Sequence, residues 1–153
     1  MGRKYVTVTE VFDFGPHVSK VILNVGDGLK GAKLSADQFC VSVKRTAVSG
    51  EDFVWPVFMG QKPDDSMKGT RRITDLYVSD ADGRRDENGQ YITLCMYCDP
   101  REGIGSVIRF DGKFNVTVNI AYKIEQVLPV ETGEGMLEGL VFDENDGNRF
   151  IYG

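Results

Sequence analysis

The run from Asn115 to Ile124 constrains the fold more than any other stretch. Val116, Val118, Ile120, Tyr122 and Ile124 alternate there with Asn115, Thr117, Asn119, Ala121 and Lys123. Successive side chains of an extended backbone point to opposite faces, so a period of two makes this a strand with one face on a core and the other largely in water. The same test turns Phe39, Val41 and Val43 inward against Cys40, Ser42 and Lys44, and Ile92, Leu94 and Met96 inward against Tyr91, Thr93 and Cys95. Further strand candidates are 5–12, 18–25, 73–79 and 107–110, which brings the count to about seven.

No stretch carries a sustained helical stripe. Gly, Asp and Asn cluster between the β-branched runs, as they do where turns join short strands. The connections are too short for crossover helices, which favours antiparallel pairing. The predicted architecture is all-β, an Ig-like antiparallel β-sandwich of about seven strands.

A chain of 153 residues fits one domain whose core needs no metal or disulfide staple. Its 18 Lys and Arg against 23 Asp and Glu leave a formal charge of −5, so no nucleic acid is expected as a partner. The longest apolar runs, such as 21–23, fall far short of the roughly 20 residues that span a bilayer, so no membrane partner is expected. No apolar leader precedes a small-residue cleavage site. The texture changes after residue 125, where Pro129, Thr132, Gly133 and Gly135 interrupt any periodicity, as in a linker. The sandwich is expected over residues 1–125. Residues 126–153 are expected to hold that linker and a hairpin, 136–142 and 149–152 about a turn in 143–147, the opening of a further domain.

Five stretches then point to one family: Thr9-Glu-Val-Phe-Asp-Phe-Gly-Pro-His-Val-Ser-Lys-Val-Ile-Leu23, Leu34-Ser-Ala-Asp-Gln-Phe-Cys-Val-Ser-Val-Lys-Arg-Thr46, Arg72-Ile-Thr-Asp-Leu-Tyr-Val-Ser-Asp80, Gly89-Gln-Tyr-Ile-Thr-Leu94 and Phe114-Asn-Val-Thr-Val118. In this order they resemble the Ig-like N-terminal domain that stands in front of bacterial esterases of the α/β-hydrolase type, over about residues 5–125. The resemblance implies a sandwich without chemistry or cofactor of its own, with an attached esterase catalytic domain as partner and a homo-oligomer as a further assembly. It also implies that the module is secreted or periplasmic with its parent enzyme. It supplies no residue-level site. The stretch 50–68 is longer and more apolar than the module's usual connection, and three cysteines are unusual for it.

Esterase chemistry needs a nucleophile in a Gly-x-Ser-x-Gly turn, followed by an acid and a histidine. The serines at 19, 35, 42, 49, 66, 79 and 106 all lack that glycine pair, and the one histidine, His17, precedes them all. His17 therefore reads as a surface or turn residue rather than a catalytic base. Cys95 and Cys98 match a redox or zinc spacing, but residues three apart on a strand face opposite sides. Free thiols packed as small hydrophobes are the plainer reading. Cys40 and Cys95 have an Ig-like separation, so a bridge from Cys40 to Cys95 or Cys98 stays open. Asp80, Asp82 and Asp86 place oxygen ligands around a Gly, as a calcium loop does, yet Arg84 and Arg85 oppose a cation, and an Asp-Gly hairpin tip accounts for them equally. Structural zinc or another resident metal is not expected.

The segment Phe53-Val-Trp-Pro-Val-Phe58 puts aromatic rings in what should be a connection. Three readings compete: a further strand with Phe53 and Trp55 packed inward, a docking patch, or a platform for a sugar face. On the last reading Trp55, Phe58, Tyr91 and Tyr97 make the chain a carbohydrate-binding module that holds a polysaccharide, the alternative to the esterase accessory role.

Overall fold

The computed structural model of the chain describes residues 2–47, 68–99, 103–110 and 115–152. Eleven strands lie among them: β1 (Arg3–Phe12), β2 (Gly15–Asn24), β3 (Phe39–Ala47), β4 (Lys68–Arg71), β5 (Ile73–Ser79), β6 (Tyr91–Met96), β7 (Ile108–Phe110), β8 (Asn115–Gln126), β9 (Val130–Thr132), β10 (Gly135–Leu137) and β11 (Val141–Tyr152). Among the described residues no helix is long and apolar enough to cross a membrane. The candidate aromatics Phe53, Trp55 and Phe58 lie outside the described residues.

Hydrogen bonding follows the order β4-β3-β8-β11-β1-β2-β6-β5, with β7 also on β8 and β9–β10 as a separate ladder. The sheet curls at the start of β11, which pairs with β8 through Val141 and Phe142 and then runs along β1, so that β5, β6, β2, β1 and most of β11 lie on one side of this bend and β8, β3 and β4 on the other. This is the strand arrangement of an Ig-like sandwich. The alternation read from sequence supplies the core: Val41, Val43, Ile92, Leu94, Tyr122 and Ile124 are all buried, together with Tyr5, Val21, Leu23 and Phe142. Strands beyond the expected seven come from segments such as Lys68-Gly-Thr-Arg71, too short and polar to show a period.

Four features depart from the sequence reading. Among the described residues every ladder is antiparallel except that of β1 with β11, which runs parallel from Arg3 opposite Phe142 to Val11 opposite Tyr152. No tight turn joins these distant segments, so nothing local forces them to oppose. The turn expected in 143–147 is not formed either, and β11 runs through it. Tyr5 and Thr7 face Asn145 and Asn148, which leaves one extra residue on β11, and Gly147 at φ +139° takes up that bulge. Thr93, expected outward, is fully buried because the loop after β5 folds over its face. A Cβ on Gly83 would lie 3.2 Å from Ile22 Cδ1, and the Tyr77 hydroxyl donates to Gly83 O at 2.8 Å. His17, finally, is buried at 4% exposure beneath the rings of Phe12 and Phe14 rather than lying on the surface.

The outer edge of β8 is built in three pieces. Gln126 N–H donates to Leu140 O at 2.8 Å, Tyr122 N–H to the Tyr5 hydroxyl at 2.9 Å, and Val118 N–H to Val107 O at 3.1 Å. Alternate N–H groups of a strand point the same way. One edge of β8 therefore meets the start of β11, then a tyrosine side chain, then the approach to β7. Only Val141 and Phe142 of β11 pair with β8. Beyond Phe142 the two strands part.

Candidate functional site

Among the described residues, those singled out by sequence do not assemble into one site. Tyr91 opens β6 and Tyr97 lies just past its end, about 20 Å away at 3.3 Å per residue. Both are half-buried. The Arg72 guanidinium covers the Tyr97 ring at 4.2 Å from its centroid, and the Tyr97 hydroxyl donates to Asp99 Oδ2 at 2.7 Å. These two rings present no shared stacking platform.

The acidic loop is held by its own backbone. Asp80 Oδ1 accepts from Asp82 N–H and Arg84 N–H, each at 2.9 Å, and Asp86 Oδ1 accepts from Asn88 N–H at 2.9 Å. Asp82 pairs with Arg149 of β11 at 2.6 Å. Carboxylates used this way serve as turn locks. Among the described residues no three His, Cys, Asp or Glu side chains stand together as a metal cage.

All three cysteines are free thiols. Cys95 sits on the outward phase of β6, where burial pushes its thiol above the ordinary range despite Lys20 nearby. Cys98 turns the other way and takes a long contact, 3.6 Å, from the Arg71 guanidinium. Their divergence follows from the strand period.

Two buried arginines form the polar centre of the sandwich. Arg45 continues the inward phase of Phe39, Val41 and Val43, and at 1% exposure it donates to Ser106 O at 3.1 Å and Ile108 O at 2.8 Å. Alternation alone would have turned it inward. Arg71, at 5%, donates to Tyr122 Oη at 2.8 Å, Val18 O at 2.9 Å and Tyr97 O at 3.1 Å, and no pattern in the short β4 announces it. Gly105 lets the chain approach: a Cβ there would stand 2.9 Å from Arg71 Cζ. Ser106 pairs with His17 by an isolated backbone bridge, and its hydroxyl donates to Ile108 O at 2.8 Å. A serine proton committed to a carbonyl is not one that a base is removing.

The parting of β8 and β11 opens a mouth of about 240 Å³ into the sandwich, with Thr7, Thr9, Val118, Ile120, Asn148 and Phe150 in its walls. Thr7 and Thr9 both donate to Asn148 Oδ1, at 2.7 and 2.9 Å. Around it every residue of β11 from Asp143 to Ile151 is exposed. Val11, Phe14, Phe150 and Ile151, four of the seven large apolar side chains exposed among the described residues, lie at this end, with Phe150 on the face of Val11 and Ile151 on the opposite face, that of Glu10. A larger groove of about 610 Å³ lies elsewhere, between β5 and the loop holding Leu29 and Leu34.

Residues 4–138 match the family model described as the esterase Ig-like N-terminal domain. The fold is similar to a solved structure described as a thermostable esterase, with a TM-score of 0.71 and 22% identity over 96% of this chain. The chain spans 35% of that protein's length. No curated protein matches it.

Proposed function

The chain belongs to the family of esterase Ig-like N-terminal domains, and from that premise we propose that it is a non-catalytic accessory module which packs against and orients an esterase catalytic domain. The observation that carries the reading is the family match over residues 4–138, joined to the shared fold with an esterase of which this chain spans 35%. In this reading residues 1–125 hold most of the sandwich, and 126–153 lead toward the catalytic domain.

The site chemistry supports it. The sequence has no Gly-x-Ser-x-Gly, its single histidine is enclosed by Phe12 and Phe14, and Ser106 directs its hydroxyl at a carbonyl. A pure sample of this chain is expected to leave a short-chain nitrophenyl ester unhydrolysed above the buffer rate. Turnover that tracks the protein through purification and disappears with Ser106→Ala would overturn the reading.

A further inference from the structure

We infer that the exposed strand β11, with the mouth between it and β8, is the surface on which the catalytic domain sits, taken as an extended segment that is basic along the first half of β11 and apolar along the second. This rests on the accessory-module reading.

Three observations lead there. Parallel pairs are slightly less stable per residue than antiparallel ones and are normally covered on both faces. The β1–β11 pair is parallel, yet β11 is exposed at every position from Asp143 to Ile151. Among the described residues its second edge pairs only with β8, through Val141 and Phe142, so the following residues present a strand edge to whatever lies alongside. A segment laid there adds a strand, as peptides do on open sheet edges.

The chemistry of the surface divides along its length. Asp143, Glu144 and Asp146 carry charge along its first half, while in its second Phe150, on the face of Val11, and Ile151, on the opposite face, flank the edge from its two sides at 42 to 57% exposure. Basic side chains suit the first and apolar ones the second. The mouth of about 240 Å³ admits one large apolar side chain between Phe150 and Ile120. The threonines fix the oxygen of Asn148 and leave its amide NH2 as a donor at the rim.

The occupant follows from the length of chain involved. The solved esterase is nearly three times as long as this chain, which spans 35% of it. On the accessory-module reading the catalytic domain belongs to the same polypeptide, and a tethered domain meets this surface at an effective concentration that reaches the millimolar range for short flexible linkers.

Amide exchange tests the inference on two proteins, this chain alone and the longer polypeptide in which a catalytic domain follows it. The amides of 143–151 should exchange at least tenfold more slowly in the longer protein. Ile151→Asp and Val11→Asp, both at exposed positions, should abolish that protection, whereas Met136→Asp on the β9–β10 ladder should leave it intact. Protection at the β5 groove or around Met136, with none on 143–151, would overturn this surface and keep the accessory role. Equal exchange everywhere, with the domains tumbling independently, would overturn both.

Discussion

The Tyr5 hydroxyl accepts the backbone N–H of Tyr122 at 2.9 Å, with the two rings edge to face at 6.3 Å between centroids. A side chain from one layer of the sandwich thereby occupies the place on β8 where a strand's carbonyl would stand. The contact lies where β11 has already left β8 for β1. Tyr5→Phe keeps the ring and removes the acceptor, leaving a buried amide unpaired at a cost of about 1–3 kcal/mol. For a domain of this size the melting temperature should fall by roughly 2–4 °C per kcal/mol. Faster exchange at the Tyr122 amide would locate the loss, and an unchanged melting temperature would show that water replaces the hydroxyl.

Burial raises the phenol of Tyr122 above the ordinary tyrosine range against the opposing pull of Arg71, and burial likewise raises Tyr5 and Tyr77. In the unfolded chain these groups titrate near about 10. A raised folded value means that the native state holds the proton longer, so the stability is fully present below about pH 10 and is lost as pH rises through the folded values. Melting temperature should decline as pH rises above about 10, and less steeply in Tyr122→Phe than in the parent. A decline of equal slope in the variant would remove Tyr122 from this account.

Arg71 links β4, β8, β2 and the end of β6 through Tyr122 Oη, Val18 O and Tyr97 O. Arg71→Leu fills part of the volume but leaves those acceptors without their donor, at a cost of about 1–3 kcal/mol. Tyr122→Phe removes one of the same bonds, so the double variant should lose less than the sum of the single losses. Strict additivity in urea melts would deny that the two side chains act together.

Legibility from sequence tracks the period of two. Where a strand is long and covered on one face, as at 117–124 or 39–44, alternation gave the correct phase. Where burial comes from elsewhere, it failed. Thr93 is covered by a loop whose path over Ile22 no local pattern encodes, and His17 is enclosed by rings on the β1–β2 turn. An Asp-Gly pair at 146–147 carries the same local chemistry in a hairpin and in a bulge, and only the distant β1 decides between them. The family resemblance located the fold's relatives, while the candidate docking strand had no signal beyond its exposed charge.

The three thiols offer a further check. Free cysteines imply three titratable groups per unfolded chain and no change in melting temperature on adding a reductant. Only thiolate reacts with a disulfide reagent, and burial raises Cys95, so in the folded protein Cys95 should react more slowly than an exposed thiol near pH 8 and speed up as pH rises. Mass spectrometry of the partly labelled protein assigns the order. Early labelling at Cys95 would contradict its half-buried setting.

The loop from Asp80 to Asp86 distinguishes a turn lock from a cation site. Asp80 Oδ1 accepts two backbone N–H groups, so Asp80→Ala should cost about 1–2 kcal/mol, while Asp80→Asn, which keeps an acceptor oxygen, should cost less than half of that. Asp82 and Arg149 are both about half exposed, so solvent screens their 2.6 Å pair, and Asp82→Ala should cost no more than about 1 kcal/mol, less still in high salt. A resident cation would reverse this ranking, since neutralising any ligand would then remove the binding energy of the ion. Thermal melts of the three variants with millimolar calcium or with a chelator separate the cases. The turn lock predicts identical curves in both media, and a calcium-dependent rise lost in Asp80→Asn would replace it with a metal site.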